Sequence, residues 1–184
     1  MITFKQAKEN SFFRGLLIIA LSLTILPLLG LIYAYCIWYI PFIYLNFILS
    51  VGIGLSVGAI INKTLPEHNA ENKAFNRLLI IFASLIVFYF HWAVWVDLAI
   101  NAGEYYGIDK LGFTASKTKF SQLFFLITNP EILWNYMADI NKVGTWSLGS
   151  SVCKGILLAL IWIAELIVFV WASVTEVFPE KEEI

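Results

Sequence analysis

Three ionisable side chains sit in or beside long uncharged stretches of this chain. His91 lies within Leu78–Val96, Glu165 within Gly155–Thr175, and Asp97 just past the first of these. A charged group at the centre of a membrane helix costs ~2.5–3.5 kcal/mol on insertion scales, so such residues need a partner or a purpose. Imidazole titrates near neutrality, and its surroundings can bring a carboxyl group there too. A row from Asp97 past His91 to Glu165 would therefore suit proton or cation transfer. The plainer reading, which we place first, is that Glu165 and His91 hydrogen-bond each other to fix helix packing, or bond a partner subunit. Two or three such ligands fall short of a closed metal site, so no metal or other cofactor is expected.

Other chemistry finds little support. Gly149-Ser150-Ser151 does not form a nucleophile elbow, and no phosphate loop, dinucleotide fingerprint or zinc-protease motif occurs. The expectation is that the chain is not an enzyme. Cys36 and Cys153 are too far apart in sequence for a redox pair or a zinc cluster. Both fall near the outer ends of their expected spans, so a disulfide between them is a candidate, with two isolated thiols as the simpler state. Ser50, Gly54 and Gly58 recur every four residues, a row that lets another helix approach closely. That row suits either dimerisation or packing against a neighbouring span of the same chain.

The elements that must position these residues follow from composition. The chain has 184 residues, of which 60% are hydrophobic and 14% charged, against roughly 25% charged in soluble domains. Its 12 Lys and Arg nearly balance 13 Asp and Glu, giving a net charge of −1. With no basic excess, nucleic acid is an unsuitable partner. The lipid bilayer is the expected surroundings, with a membrane-protein partner or a second copy as the candidate protein contact.

From Gly15 to Asn62 no charged residue or histidine occurs. As helix this run would measure about 70 Å, roughly twice a ~30 Å hydrocarbon core. It must fold back, and Pro41 marks the place, with Tyr33, Tyr35, Trp38, Tyr39 and Tyr44 crowded round it as interface anchors. The length and the run into a second span exclude a cleaved signal peptide, so Met1 is read as the mature start. The expected fold is all-α and integral to the membrane, a four-transmembrane-helix bundle forming one multi-pass domain over 1–184. Its spans are placed at about 14–37, 43–62, 78–99 and 155–177, with Pro27 kinking the first.

Seven basic residues (Lys5, Lys8, Arg14, Lys63, Lys73, Arg77 and Lys181) fall in short segments on one side. Five (Lys110, Lys117, Lys119, Lys142 and Lys154) are spread along the outer segment, about 101–154. The excess places both termini in the cytoplasm. There, Thr3 to Gln6 fits a capping box, Asn62-Lys63-Thr64 is an unused sequon, and 179–184 forms an acidic tail.

The outer segment should hug the membrane. Asn129-Pro130-Glu131 reads as a helix start. Ile132, Leu133, Tyr136, Met137 and Ile140 then share one face, with Glu131, Asn135 and Asp139 opposite. Phe120 to Ile127 is apolar but too short to cross, and suits either an interfacial or a re-entrant piece. Gly144 and Gly149 suggest a turn into the last span. The function expected is that of a non-enzymatic subunit or scaffold of a membrane complex. The alternative is a small proton- or cation-coupled transporter using Glu165 and His91.

Overall fold

The computed structural model describes residues 24–40, 43–64, 73–102, 117–148 and 151–175. Expectations for the N-terminal capping box, the first half of the first span, the 63–77 loop beyond Thr64, Gly149, the acidic tail and most of 101–119 lie outside these residues. Six helices and one two-stranded hairpin are described: α1 (Thr24–Tyr39), α2 (Ile43–Thr64), α3 (Lys73–Ile100), α4 (Phe120–Thr128), α5 (Pro130–Val143), β1 (Trp146–Leu148), β2 (Ser151–Cys153) and α6 (Ile156–Thr175). Three of them, α2, α3 and α6, are long and apolar enough to cross a membrane. The described part of α1 is apolar but shorter.

The break between α1 and α2 falls around Pro41, where the missing backbone donor was expected to end the helix. Each long helix is apolar on all sides, and its buried face is distinguished by small or polar residues. On α2, Asn46, Ser50, Gly54, Val57, Gly58 and Ile61 form the buried row, while Tyr44, Ile48 and Leu55 are exposed. On α6, Glu165, Phe169, Ala172 and Ser173 are buried, and Leu160, Ile163, Ile167 and Trp171 are exposed. Exposed leucine and isoleucine around a polar interior suit a surface that faces lipid.

The α2 row settles against α6 as its principal neighbour. A Cβ on Gly54 would stand 2.5 Å from the carbonyl oxygen of Phe169 and 3.0 Å from Ala172 Cβ, so only glycine admits this approach. Of the two readings of the Ser50/Gly54/Gly58 row, the geometry matches packing within the chain. The principal neighbour, at Gly54, is the last helix, while Ser50 also meets Tyr33 of the first.

Helix α3 is the hub, contacting α2, α4, α5 and α6. Its outer part is covered nearly all round: Ala93, Val94, Val96, Asp97 and Leu98 are all buried, and Leu123, Leu126 and Leu133 of α4 and α5 complete that cluster. Asp97 stands at the end of the apolar run, where a carboxylate would ordinarily meet water. Its carboxylate is instead sealed in, because it takes up the chain entering α4: Lys119 N donates to Asp97 Oδ2 at 3.0 Å and Asn101 Nδ2 to Oδ1 at 3.3 Å.

Helix α5 begins at Pro130, as the Asn-Pro-Glu signal suggested, but the Asn129 side chain does not cap it. Asn129 is also the residue that caps the end of α4, and its Nδ2 turns back to the Phe125 carbonyl at 2.8 Å. The Asn129 carbonyl meanwhile accepts the amides of Ile132 and Leu133, both at 3.1 Å. Gly144 ends α5 with φ +91°, a conformation that favours glycine. Beyond it, the expected turn is a short antiparallel hairpin, Trp146 opposite Cys153 and Leu148 opposite Ser151. The tight pairing works because a Cβ on Gly144 would lie 2.7 Å from the Cys153 carbonyl oxygen.

Candidate functional site

The site grows from two close helix contacts. Gly54 lets α2 lie on α6, and Gly30 does the same for α1 on α3: a Cβ there would stand 2.9 Å from the Val87 carbonyl oxygen. One turn along from each glycine is a polar side chain. Tyr33 follows Gly30 and Ser50 precedes Gly54, so the two hydroxyls meet in the space the glycines create.

Glu165 completes the arrangement from α6. The Tyr33 hydroxyl donates to Glu165 Oε1 and also bonds Ser50 Oγ. A phenol has one proton, so if it goes to Glu165, Ser50 is the donor to Tyr33. All three residues are buried. They tie α1, α2 and α6 together without solvent, and a fully satisfied network of this kind specifies how helices pack.

His91 enters from α3 through its ring. Its centroid lies 4.2 Å from that of Tyr33, and Phe88 and Trp92 flank it at 5.6 and 5.2 Å. Among the described residues neither ring nitrogen makes a well-formed hydrogen bond, the Phe88 backbone interacting with the ring only weakly, though His91 is buried. The expected pair is thus divided. Glu165 and His91 lie at matching depths, as their positions along the spans implied, but both turn to Tyr33 instead of bonding each other. Asp97 lies apart, holding the start of α4, and is not joined to this cluster.

Tyr33 is the residue that sequence reasoning misplaced. It was grouped with the interface aromatics, yet it is wholly buried, while Tyr39 and Tyr44 are exposed. The signal was present in its spacing, since Leu26, Gly30, Tyr33 and Ile37 share one helical face. Asn46, one turn before Ser50, was also unremarked. Both of its side-chain polar atoms are buried without a partner. Cys36 is half-buried in α1 and Cys153 buried in the hairpin, each a free thiol.

A second feature adjoins this cluster. A cleft of about 570 Å³ opens between α3, α5 and α6, walled by Phe88, Trp92, Trp134 and Trp162 and almost entirely apolar. Trp162, three residues before Glu165 on α6, packs edge-on to Trp92 with centroids 4.7 Å apart. Phe88 and Trp92 are therefore the wall between the cleft and His91. Among the described residues no cluster of His, Cys, Asp and Glu could hold a metal ion. No family model, curated protein or solved structure matches the chain.

Proposed function

We propose that the chain is a four-span integral membrane protein, with α1 as part of the first span, and that it serves as a non-enzymatic component of a membrane complex. Both termini face the cytoplasm in this reading, on the strength of the basic residues in the short segments. The observation that carries it is the condition of Glu165. Its carboxylate, the deepest acidic group in α6, finds its partners in Tyr33 and Ser50 of the same chain. It thereby secures the bundle and presents no reactive group to solvent. The test is co-purification from native membrane in mild detergent. A stoichiometric partner protein is expected; a chain that emerges alone at its own mass would overturn the reading.

A second reading draws on one specific observation. The two unpaired nitrogens of His91 lie beside a tyrosine already bonded to a buried carboxylate. That sequence of groups suits proton-coupled transport. In this case Glu165→Gln abolishes proton flux in proteoliposomes while the protein remains folded. Undiminished flux in that variant removes the relay.

A further inference from the structure

Helices α4 and α5 run alongside α3 in opposite senses, and their contacts fix how far they reach. Lys119 N bonds Asp97, and eight residues further along α4 the Ile127 carbonyl accepts from Tyr89 Oη at 2.9 Å, eight residues back along α3. The two helices therefore descend and ascend in step, over about 12 Å at ~1.5 Å per residue. Tyr89 stands eleven residues from Ile100, the end of α3, or about 16 Å. That is near the middle of a ~30 Å hydrocarbon core.

From its tip at Thr128-Asn129-Pro130 the chain returns. Pro130 and Leu133 line the apolar cleft with Leu85, Phe88 and Leu166, whereas Val143 lies beside Ala99 and Ile100. Gly155 N donates to the Asn141 carbonyl at 3.0 Å, which sets the end of α5 level with the start of α6. The tip also has the chemistry that membrane depth demands. The Asn129 amide bonds the Phe125 carbonyl, Thr128 Oγ1 and Asn129 Nδ2 spend their own donors on the Phe124 and Phe125 carbonyls, the Ile127 carbonyl accepts from Tyr89 Oη, and Pro130 has no amide proton to satisfy. Phe120, Phe124 and Phe125 are exposed on the outer face of α4, as lipid contact would have them.

One face does not fit lipid. Glu131, Asn135 and Asp139 form an exposed stripe along α5. Asp139 pairs with Lys142 near the outer end at 2.8 Å. Glu131, beside the tip, has no ion-pair or hydrogen-bond partner among the described residues. A carboxylate at this depth facing hydrocarbon is costly. Among the described residues a second copy in the same bilayer offers no cation there: the basic side chains of Lys63, Arg77, Lys117, Lys119, Lys142 and Lys154 all lie near one end or the other of the helices. We propose that α4 and α5 form a re-entrant hairpin that carries Glu131 to about the middle of the bilayer, where it anchors a different membrane protein through a Lys or Arg at the same depth.

This inference rests on the reading of the chain as a subunit, and it names the face that reading requires. The test places a photo-crosslinking amino acid at Asn135 in native membranes, with Ile167 on the lipid-exposed side of α6 as control. A discrete crosslink to one other membrane protein from Asn135, and none from Ile167, is expected. Glu131→Lys should then lower recovery of that partner about tenfold or more, and reversing the partner's crosslinked Lys or Arg to Glu should restore it. A crosslink to a second copy of this chain overturns the proposal. So does labelling of a cysteine at position 131 by a membrane-impermeant thiol reagent in intact native membranes, which would put the face in water. A partner that co-purifies undiminished with the Glu131→Lys chain leaves the subunit reading standing and removes this face from it. The absence of any partner removes both.

Discussion

Glu165 and Glu131 flank the same cleft in opposite circumstances. Leu166 and Pro130 line the same cleft, so the residues next to them lie at one level of the fold. Glu165 points inward, where Tyr33 and Ser50 meet it; Glu131 points outward and meets no partner among the described residues. The difference lies in what surrounds each helix. α6 packs on a face of α2 made close by Gly54, and that closeness brings short hydroxyl side chains within reach. α5 packs by its apolar face on α3 and α4, leaving its polar face without a counterpart among the described residues. The inward acid is a finished interaction and the outward one is half of an interaction.

The sharpest way to break the inward half is to remove the contact that creates it. Gly54→Val places a branched side chain where even a Cβ would stand 2.5 Å from the Phe169 carbonyl oxygen, a backbone atom that cannot rotate away. Helices α2 and α6 must separate, and the loss should reach about 3 kcal/mol or more, read as a lowered unfolding midpoint in detergent. An unchanged midpoint would mean that the α2–α6 contact is not as described.

A smaller effect is expected from the hydrogen bonds themselves. Tyr33→Phe keeps the ring on His91 and removes only the hydroxyl, so Glu165 loses its donor while packing is preserved. The cost should be about 1–3 kcal/mol, and Glu165→Leu in the same chain should recover part of it, because the buried carboxylate is gone and the Ser50 hydroxyl that remains can turn to a carbonyl of its own helix. Thermal unfolding of the two variants and the double variant checks this as a cycle. Strictly additive losses would show that the two residues are not coupled.

Asp97 offers an intermediate case, a buried acid whose partners are the backbone of Lys119 and the Asn101 amide. Asp97→Ala should cost about 1 kcal/mol, concentrated in α4. Faster amide exchange at Leu123 to Ile127, with α2 and α6 unaffected, is the expected pattern.

Much of the plan was legible in the residues. Leu78–Val96 and Gly155–Thr175 marked two long helices because hydrocarbon-length apolar runs have few alternatives, and Pro41 marked the break between α1 and α2. The helix from Pro130 was legible because proline at the first helical position and the apolar spacing after it agree. Glu165 and His91 stood out for the cost of placing them in lipid. Their partners did not, since periodicity gives the face of a helix but not which neighbour that face meets. Tyr33 was hidden for a related reason. Its amphipathic ring suits both a headgroup interface and a buried hydrogen bond, and its place beside Gly30 decides between them only once α1 is seen against α3. The course of Phe120–Ile127 was undecidable from pattern, because an eight-residue apolar helix satisfies its own backbone equally well lying flat or dipping inward. Bonds to Asp97 and Tyr89, remote in sequence, set its direction.

The smallest effect separates the two regions by their surroundings. Asn129→Ala removes the side-chain bond to the Phe125 carbonyl at the hairpin tip, which is exposed in the isolated chain. In detergent, water can replace that bond, and the stability change should be barely measurable. In a bilayer, a tip at mid-depth has no water to call on, and the same substitution should cost about 0.5–1 kcal/mol. Tyr33→Phe acts within the sealed cluster and should cost the same in both media. Unfolding of each variant in detergent and in lipid bicelles makes the comparison directly. Equal costs of Asn129→Ala in the two media would place the tip in water and return α4 and α5 to the membrane surface.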